Sequence, residues 1–194
     1  MRLEPGAVIE TRELAPVIGR LVTVPGPDRL VHLQFRRFAG CPVCNLHLRS
    51  IARRHDEIEA AGVREVVVFH SSADDLREYT GDLPFAVIAD PGKRLYREFG
   101  VESSHRALLD PRAWGTILRA VARTTWGTLR RRERSPDLMP AGGRWGLPGD
   151  FLIGPDGRVL AVKYGEHAYD QWSVDELLAL AAAAPAAPAA EVTR

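Results

Sequence analysis

The chain has 194 residues, of which 45% are hydrophobic and 26% charged, and its formal net charge is +1. This size and composition predict a single globular domain, and the near-neutral charge argues against a nucleic-acid partner. The N-terminus lacks an apolar signal core, no window is long enough to span a membrane, and two cysteines do not form a disulfide framework. We therefore expect a cytoplasmic protein.

The first part of the chain is expected to be extended. Short pieces from about Val8 to Val24 precede a PGPDR turn, which leads into the strand LVHLQF at residues 30–35. Apolar residues of this strand alternate with His32, Gln34 and Arg36. The alternation predicts that one face of the strand is buried.

Helices and strands then alternate along the chain. The helix after Cys44 has an apolar face and ends at Gly62, and the run REVVVFH is typical of a central parallel strand buried on both faces. SSADDLREYT predicts a second helix, LPFAVIADP a strand, and GKRLYREFGV a short helix ended by Gly100. This order of elements predicts an α/β layered sheet.

An insert from about residue 102 to residue 146 interrupts this alternation. It contains a predicted helix, Trp114 to Arg132, in which arginines separate apolar side chains. Such a helix can contact an anionic surface, or it can pack its apolar face on the domain and leave its arginines solvated. We favour packing, because the chain as a whole is nearly neutral.

The C-terminal part is predicted to form a hairpin and a helix. LPGDFLIGPDGRVLAVKYG reads as two antiparallel strands around a PDG turn, and a capped helix begins after Ser173. Residues 184–194 form an Ala/Pro-rich stretch that we expect to be a flexible tail. Residues 1–183 would then form the single domain.

The strongest functional motif is C-x-x-C, formed by Cys41 and Cys44 between the first long strand and the first long helix. A helix N-terminus favours a thiolate over a thiol, and Pro42 suits the first helical turn because its missing N–H costs nothing there. Arg36 and Arg37 add positive charge just before the motif. The sequence therefore predicts a redox-active dithiol.

A zinc site and an inert cysteine pair are the alternatives to a redox-active dithiol. A zinc site needs four ligands, whereas Cys41, Cys44 and His47 supply three, and an inert buried cysteine pair is the remaining alternative. We expect no metal and no cofactor. His47 is expected at the helix surface. His70 ends a central strand, where α/β proteins collect ligand-binding groups, although a polar cap of the strand end is the simpler interpretation.

These motifs together resemble the thioredoxin-fold superfamily and, within it, the peroxiredoxin-like proteins related to alkyl hydroperoxide reductase and thiol-specific antioxidant. The resemblance runs from about Gly6 to Leu180 through FRRFAGCPVC, VVVFHSS, FAVIADPGKRLYREFGV and LPGDFLIGPDGRV. It implies a central mixed sheet flanked by helices, with the helical insert before the late hairpin. It also places Pro148 at the position of the cis-proline that faces the dithiol in this fold.

The peroxiredoxin pattern is kept in part. Its peroxidatic cysteine falls on Cys44, its hydroxyl residue is replaced by Cys41, and its proline is replaced by Arg37. The arginine that the family places before the late strand is also replaced. Arg36, Arg37 and Arg144 are the candidates to substitute for it. The chain thus resembles the branch that carries C-x-x-C.

The resemblance implies one of two reaction cycles through a Cys41–Cys44 disulfide. Either Cys41 attacks a disulfide substrate and Cys44 resolves the mixed disulfide, or Cys44 is oxidised by a small hydroperoxide and Cys41 condenses with the sulfenic acid. Both cycles need a dithiol reductant, thioredoxin-like or a low-molecular-weight thiol. A homodimer is left open. The alternative from another class is a redox-regulated binding module in which the dithiol is a non-catalytic switch.

Overall fold

The computed structural model describes residues 2–101, 115, 118, 119, 121, 122 and 146–185. Its strands are β1 (Arg12–Leu14), β2 (Val22–Val24), β3 (Leu30–Arg36), β4 (Val63–Phe69), β5 (Ala86–Ala89), β6 (Gly149–Ile153) and β7 (Val159–Tyr164). The helices with assigned bounds are α1 (Pro42–Arg53), α2 (His55–Ala60), α3 (Ala73–Thr80), α4 (Arg94–Glu98) and α5 (Val174–Ala183).

Five strands form the central sheet in the order β5-β4-β3-β6-β7. β3, β4 and β5 are parallel, while β6 pairs antiparallel with β3 and β7 antiparallel with β6. The predicted strands and the late hairpin are therefore confirmed, and so is the mixed sheet of the thioredoxin-like fold. β1 and β2 pair with each other in a separate two-stranded ribbon.

Two apolar layers cover the two faces of the sheet. One face packs Phe35 and Phe151 against α4 and the N-terminal extended pieces. The other face packs against the remaining helices, with Leu48 and Ile51 of α1 and Leu177 of α5 in its two apolar clusters. Both layers meet on β3, because this strand lies at the centre of the sheet. The segment that follows β3 is therefore held from both sides.

The expectation that β3 has one buried face was wrong. His32, Gln34 and Arg36 are all 0% exposed. On the opposite face of the strand, Leu33 is 1% and Phe35 0% exposed. The physical reason is the position of β3, which is paired on both edges and covered by helices on the side where its polar residues point. The predicted alternation of apolar and polar side chains along β3 is therefore present, but the polar face of the strand lies inside the protein.

Those polar side chains form an ion network within the sheet. The His32 ring lies 2.9 Å from Glu65 Oε2 through Nδ1 and 3.2 Å from Asp150 Oδ1 through Nε2. Arg36 Nη2 donates to Asp150 Oδ1 and to Gln34 Oε1, each at 2.6 Å, and the Gln34 amide donates to Glu65. The network therefore joins β3 to β4 and to β6.

The charges of this network balance. Burial opposes a charged imidazole, but the carboxylates of Glu65 and Asp150 outweigh it and raise the pKa of His32 to about 9. Burial also opposes the Asp150 carboxylate, and the positive charges of Arg36 and His32 reverse this and hold the pKa of Asp150 well below its usual range. Two cations thus face two anions, the arrangement that makes buried charge tolerable.

Helix ends and proline isomers were also considered in the sequence, and the structure shows both. Gly62 and Gly100 take positive φ values of 75° and 67° just beyond helices, and Ser173 forms a capping box with Glu176. The Val24–Pro25 peptide bond is cis. The Leu147–Pro148 bond is not cis, although the resemblance places Pro148 at the position of the cis-proline.

Most of the insert lies outside the described residues, as does most of the tail at 184–194. Within the predicted helix Trp114–Arg132, residues 115, 118, 119, 121 and 122 are described, and they are helical and exposed. Leu118 is 70% and Val121 47% exposed, and the packing of this helix on its own or a partner's apolar surface stays a prediction. Among the described residues, no helix is long and apolar enough to cross a membrane. The domain limits stay a prediction.

Replacing Asp150 with Asn should destabilise the protein by about 3–5 kcal/mol, because Arg36 and His32 would then remain buried with one anion between them. Denaturant unfolding followed by circular dichroism measures the effect. Glu57→Gln is the control, since Glu57 pairs with Arg54 at the surface, and its midpoint should hardly change. Equal midpoints for both variants would show that the buried network contributes no stability.

Candidate active site

The C-x-x-C motif lies at the start of α1. Cys41 is the N-cap residue, with φ −60° and ψ 116°, and its sulfur accepts a hydrogen bond from the Cys44 N–H at 3.4 Å. Pro42 occupies the first helical position, as predicted. The thiol thus takes the place that a hydroxyl side chain usually holds at an N-cap, where it satisfies one of the free N–H groups of the first turn.

The loop between β3 and α1 is fixed by its neighbours. Gly40 has φ +71°, and a Cβ there would lie 2.9 Å from the Tyr79 ring, so the position needs glycine. The Ala39 N–H donates to Ser71 Oγ at 2.9 Å. These contacts attach the cysteine loop to the segment that follows β4, and they explain why both thiols are held in one place.

Arg37 is the charged group that faces the sulfurs. Its Nη2 donates to Cys41 Sγ at 2.9 Å, and its guanidinium carbon lies 5.6 Å from the centre of the Phe38 ring. The side chain is buried. A guanidinium that is poorly screened by water acts strongly on a nearby sulfur, and it favours the thiolate. Arg37 therefore stands as an electrostatic partner of the dithiol.

The two cysteines are not joined by a disulfide, and the pKa values of their thiols are shifted in opposite directions. Burial opposes a Cys44 thiolate, but the hydrogen bond from Cys41 and the positive charges of Arg37 and Arg36 outweigh it and lower the pKa of Cys44 to about 6. Burial raises the pKa of Cys41 well above its usual range, and the neighbouring Cys44 sulfur adds to this. The pair thus loses its first proton readily and its second with difficulty.

His47 is not at the helix surface, so that expectation was wrong. It lies one turn beyond Cys44, it is 3% exposed, and its Nε2 is 3.1 Å from Arg36 Nη2. Burial and the positive charge of Arg36 hold the pKa of His47 well below its usual range. The ring is therefore neutral and accepts a hydrogen bond from Arg36. This contact links α1, and with it the dithiol, to the ion network of the sheet.

His70 follows β4 directly and is 2% exposed. Neither ring nitrogen has a hydrogen-bond partner within the part of the chain that the structure describes. Burial, with the positive charges of Lys93 and Arg37, lowers the pKa of His70 to about 4, so the ring is neutral. The simpler interpretation, a polar cap of the strand end, required a partner that the described residues do not provide.

Gly146 packs closely against both His70 and Arg37. A Cβ on Gly146 would lie 3.3 Å from His70 Nε2 and 3.3 Å from Arg37 Cγ. Both side chains thus border the space that a larger residue at 146 would fill.

Pro148 lies at the start of β6, where Gly149 is paired with Phe35 near the end of β3. Its carbonyl accepts a hydrogen bond from the Gly165 N–H at 2.9 Å. Its contact with the thiols stays a prediction. Arg144 lies outside the described residues, which leaves Arg36 and Arg37 as the described candidates for the replaced arginine. No group of three or more His, Cys, Asp or Glu side chains that could hold a metal occurs in the described ranges.

Sequence comparison gives a family and a curated relative. Residues 50–167 match the model of the family described as AhpC/TSA antioxidant enzyme. The thioredoxin-like protein AAED1, chloroplastic, of Arabidopsis thaliana is 26% identical over 157 residues, which cover 78% of this chain. This chain spans 61% of the length of that relative.

Structural comparison concerns the fold. The peroxidoxin BcpB of Mycobacterium tuberculosis has a TM-score of 0.66 at 18% identity, with 95% of this chain and 99% of that chain covered. A structure described as the thiol:disulfide interchange protein DsbE of Chlorobium tepidum has a TM-score of 0.58 at 18% identity, with 92% and 99% covered. Both structures therefore share the fold of this chain.

Replacing Arg37 with Met should raise the first thiol pKa from about 6 by roughly one to three pH units, because the nearest positive charge is lost. Ultraviolet absorbance of the thiolate, recorded against pH, measures the shift. Arg53→Met is the control, since Arg53 is exposed at the far end of α1, and Arg37→Lys should restore part of the shift. An unchanged titration curve in Arg37→Met would contradict the role given to Arg37.

Proposed function

The chain belongs to the AhpC/TSA antioxidant enzyme family, and from this premise we propose that it reduces small hydroperoxides with its Cys41–Cys44 dithiol. The coarser function, thiol-dependent redox chemistry, follows from the family and the fold. The choice of hydroperoxide over disulfide rests on the geometry of the site. The observation that carries it is the buried Arg37 guanidinium, which lies 2.9 Å from the Cys41 sulfur at a helix N-terminus where Cys44, the attacking thiol of the proposed cycle, is also buried.

This arrangement supports a reactive thiolate at neutral pH. Because the pKa of Cys44 is lowered to about 6, a thiolate is favoured at neutral pH. The thiolate is the form that attacks oxygen or sulfur electrophiles. The Arg37 guanidinium also supplies a positive charge where the departing oxygen of a hydroperoxide becomes negative, which is the usual source of rate enhancement in such sites.

Burial of the sulfurs supports a small oxidant. Cys41 is 0% and Cys44 3% exposed. Attack on a disulfide requires a thiolate to reach one sulfur of a bulky partner through an accessible path. A hydroperoxide presents a single terminal oxygen and needs far less room. A protein disulfide would therefore need an opening of the loop that a hydroperoxide does not need.

The proposed cycle assigns a role to each cysteine. The Cys44 thiolate bonds to the terminal oxygen, the O–O bond breaks, and the leaving alkoxide takes a proton from water to become an alcohol. Cys44 is then a sulfenic acid. The Cys41 thiol then attacks the Cys44 sulfur and displaces the hydroxyl group of the sulfenic acid. That hydroxyl leaves as water with the Cys41 proton, and an intramolecular disulfide forms. A dithiol reductant reduces that disulfide and restores both thiols.

The assignment of Cys44 as the attacking thiol rests on the sharing of charge within the pair. The pKa of Cys44 is lowered and that of Cys41 is raised, which favours Cys44 as the thiolate of the pair. A nucleophile must be ionised, whereas a resolving thiol acts later. Cys41 stands in the hydroxyl position of the peroxiredoxin pattern, and this places the resolving thiol three residues before the attacking one.

The partners are proposed from the same chemistry. A thioredoxin-like protein or a low-molecular-weight thiol would supply the electrons that reduce the Cys41–Cys44 disulfide. The cytoplasmic location stays a prediction, and the Arabidopsis relative is named as chloroplastic. The homodimer also stays a prediction.

The protein should consume hydrogen peroxide and small organic hydroperoxides catalytically when dithiothreitol is the reductant. Cys44→Ser should abolish this activity, since it removes the nucleophile, while Cys41→Ser should still form one sulfenic acid that a dimedone probe captures. Activity is followed by loss of hydroperoxide.

Three results would decide against the proposal. Reduction of insulin disulfides without hydroperoxide turnover would favour the disulfide cycle. Oxidation that stops after one equivalent, despite excess reductant, would favour the binding module. Full nucleophilic reactivity in Cys44→Ser would exchange the roles of the two cysteines.

A further inference from the structure

His70 is a buried polar side chain that the proposed cycle leaves unused. It is 2% exposed, and in the described part of the chain neither Nδ1 nor Nε2 has a hydrogen-bond partner. Buried polar groups in folded proteins are nearly always paired, and an exception needs an explanation. An imidazole that finds a partner when a ligand arrives is one such explanation.

The sheet places His70 beside the dithiol loop. β3 and β4 are parallel neighbours with Arg36 paired to Phe69, so the next residues, Arg37 and His70, leave the sheet side by side. The His70 N–H donates to the Arg37 carbonyl at 3.2 Å. The Arg37 side chain then reaches Cys41 Sγ at 2.9 Å. Ligand sites of α/β proteins gather at such carboxyl ends of parallel strands.

The side chains of His70 and Arg37 also converge on one small space. A Cβ placed on Gly146 would lie 3.3 Å from His70 Nε2 and 3.3 Å from Arg37 Cγ. Both side chains therefore pack closely against Gly146, which brings His70 Nε2 and the Arg37 side chain to the same small residue. On its other side the His70 ring meets Tyr96 edge to face, with ring centroids 5.7 Å apart. Packing thus fixes the ring without satisfying its nitrogens.

The ring is neutral, because burial and the positive charges of Lys93 and Arg37 lower the pKa of His70 to about 4. A neutral imidazole has one N–H donor and one lone-pair acceptor. It can therefore donate to an oxygen that becomes negative during a reaction without carrying a net charge that would compete with Arg37 for the thiolate.

We propose that His70 is a catalytic residue that donates a hydrogen bond from Nε2 to the departing oxygen of a hydroperoxide bound beside Arg37. This inference rests on the proposed function. In the step concerned, the Cys44 thiolate bonds to the terminal oxygen and the O–O bond breaks. The electron pair goes to the departing oxygen, which His70 and Arg37 stabilise until water protonates it. Cysteine is oxidised to sulfenic acid and the hydroperoxide is reduced to an alcohol, while His70 keeps its proton.

The test compares two reactions of the same thiol in the full chain. One is oxidation by hydrogen peroxide, which has a departing oxygen. The other is alkylation by iodoacetamide, which has none. His70→Leu should lower the rate constant for hydrogen peroxide by about tenfold, the effect of losing one hydrogen bond in the transition state. The alkylation rate and the thiolate titration should not change.

Two further variants sharpen the comparison. His70→Gln keeps a donor near the position of Nε2 and should restore part of the peroxide rate. His55→Leu is the matched control, because His55 Nδ1 is also buried without a partner but lies at the start of α2, beyond the far end of α1. The thermal midpoint of His70→Leu should be unchanged or higher, since an unpaired polar group is removed.

The outcomes separate this inference from the proposed function. Wild-type protein that reduces no hydroperoxide would overturn both. Wild-type activity with an unchanged peroxide rate in His70→Leu would overturn the role of His70 alone. A parallel fall in peroxide and alkylation rates, or a lowered thermal midpoint, would show that His70 acts on the structure of the thiol site and not on the substrate.

Discussion

The ion pair between Arg36 and Asp150 organises the centre of this protein. Its atoms are 2.6 Å apart, both side chains are fully buried, and it joins β3 to β6 in the middle of the sheet. Arg36 also donates to His47 of α1, so one guanidinium fixes the relative position of the sheet and the helix that carries the dithiol. Removing either charge would leave the buried network with an unbalanced charge in a medium of low polarity.

Two consecutive arginines contact different parts of the molecule, one the sheet–helix interface and the other the dithiol. Arg36 points into the sheet–helix interface, whereas Arg37 leaves the strand and faces the Cys41 sulfur. Because successive residues of a strand point in opposite directions, a single pair of charges can both hold the fold and act on the thiols. The field at the cysteines therefore depends on the ion network as well as on the helix N-terminus.

The sequence predicted the strands and the C-x-x-C at a helix start, because periodicity and capping act locally, and the resemblance to the thioredoxin fold implied the mixed sheet. It did not predict that the polar face of β3 is interior. His32, Gln34 and Arg36 show the same alternation on an exposed strand and on a central strand, and their partners Glu65 and Asp150 come from distant segments. His47 was misplaced for the same reason, since a lone histidine on a helix does not reveal a buried arginine beneath it.

In the proposed cycle a small hydroperoxide oxidises the dithiol through one thiolate and one resolving thiol. Intact-mass analysis with peptide mapping, after one equivalent of hydrogen peroxide, is the decisive measurement. The protein should lose two hydrogens, with Cys41 joined to Cys44 within one peptide and no sulfinic acid. Two free thiols after prolonged exposure of the folded protein would contradict it.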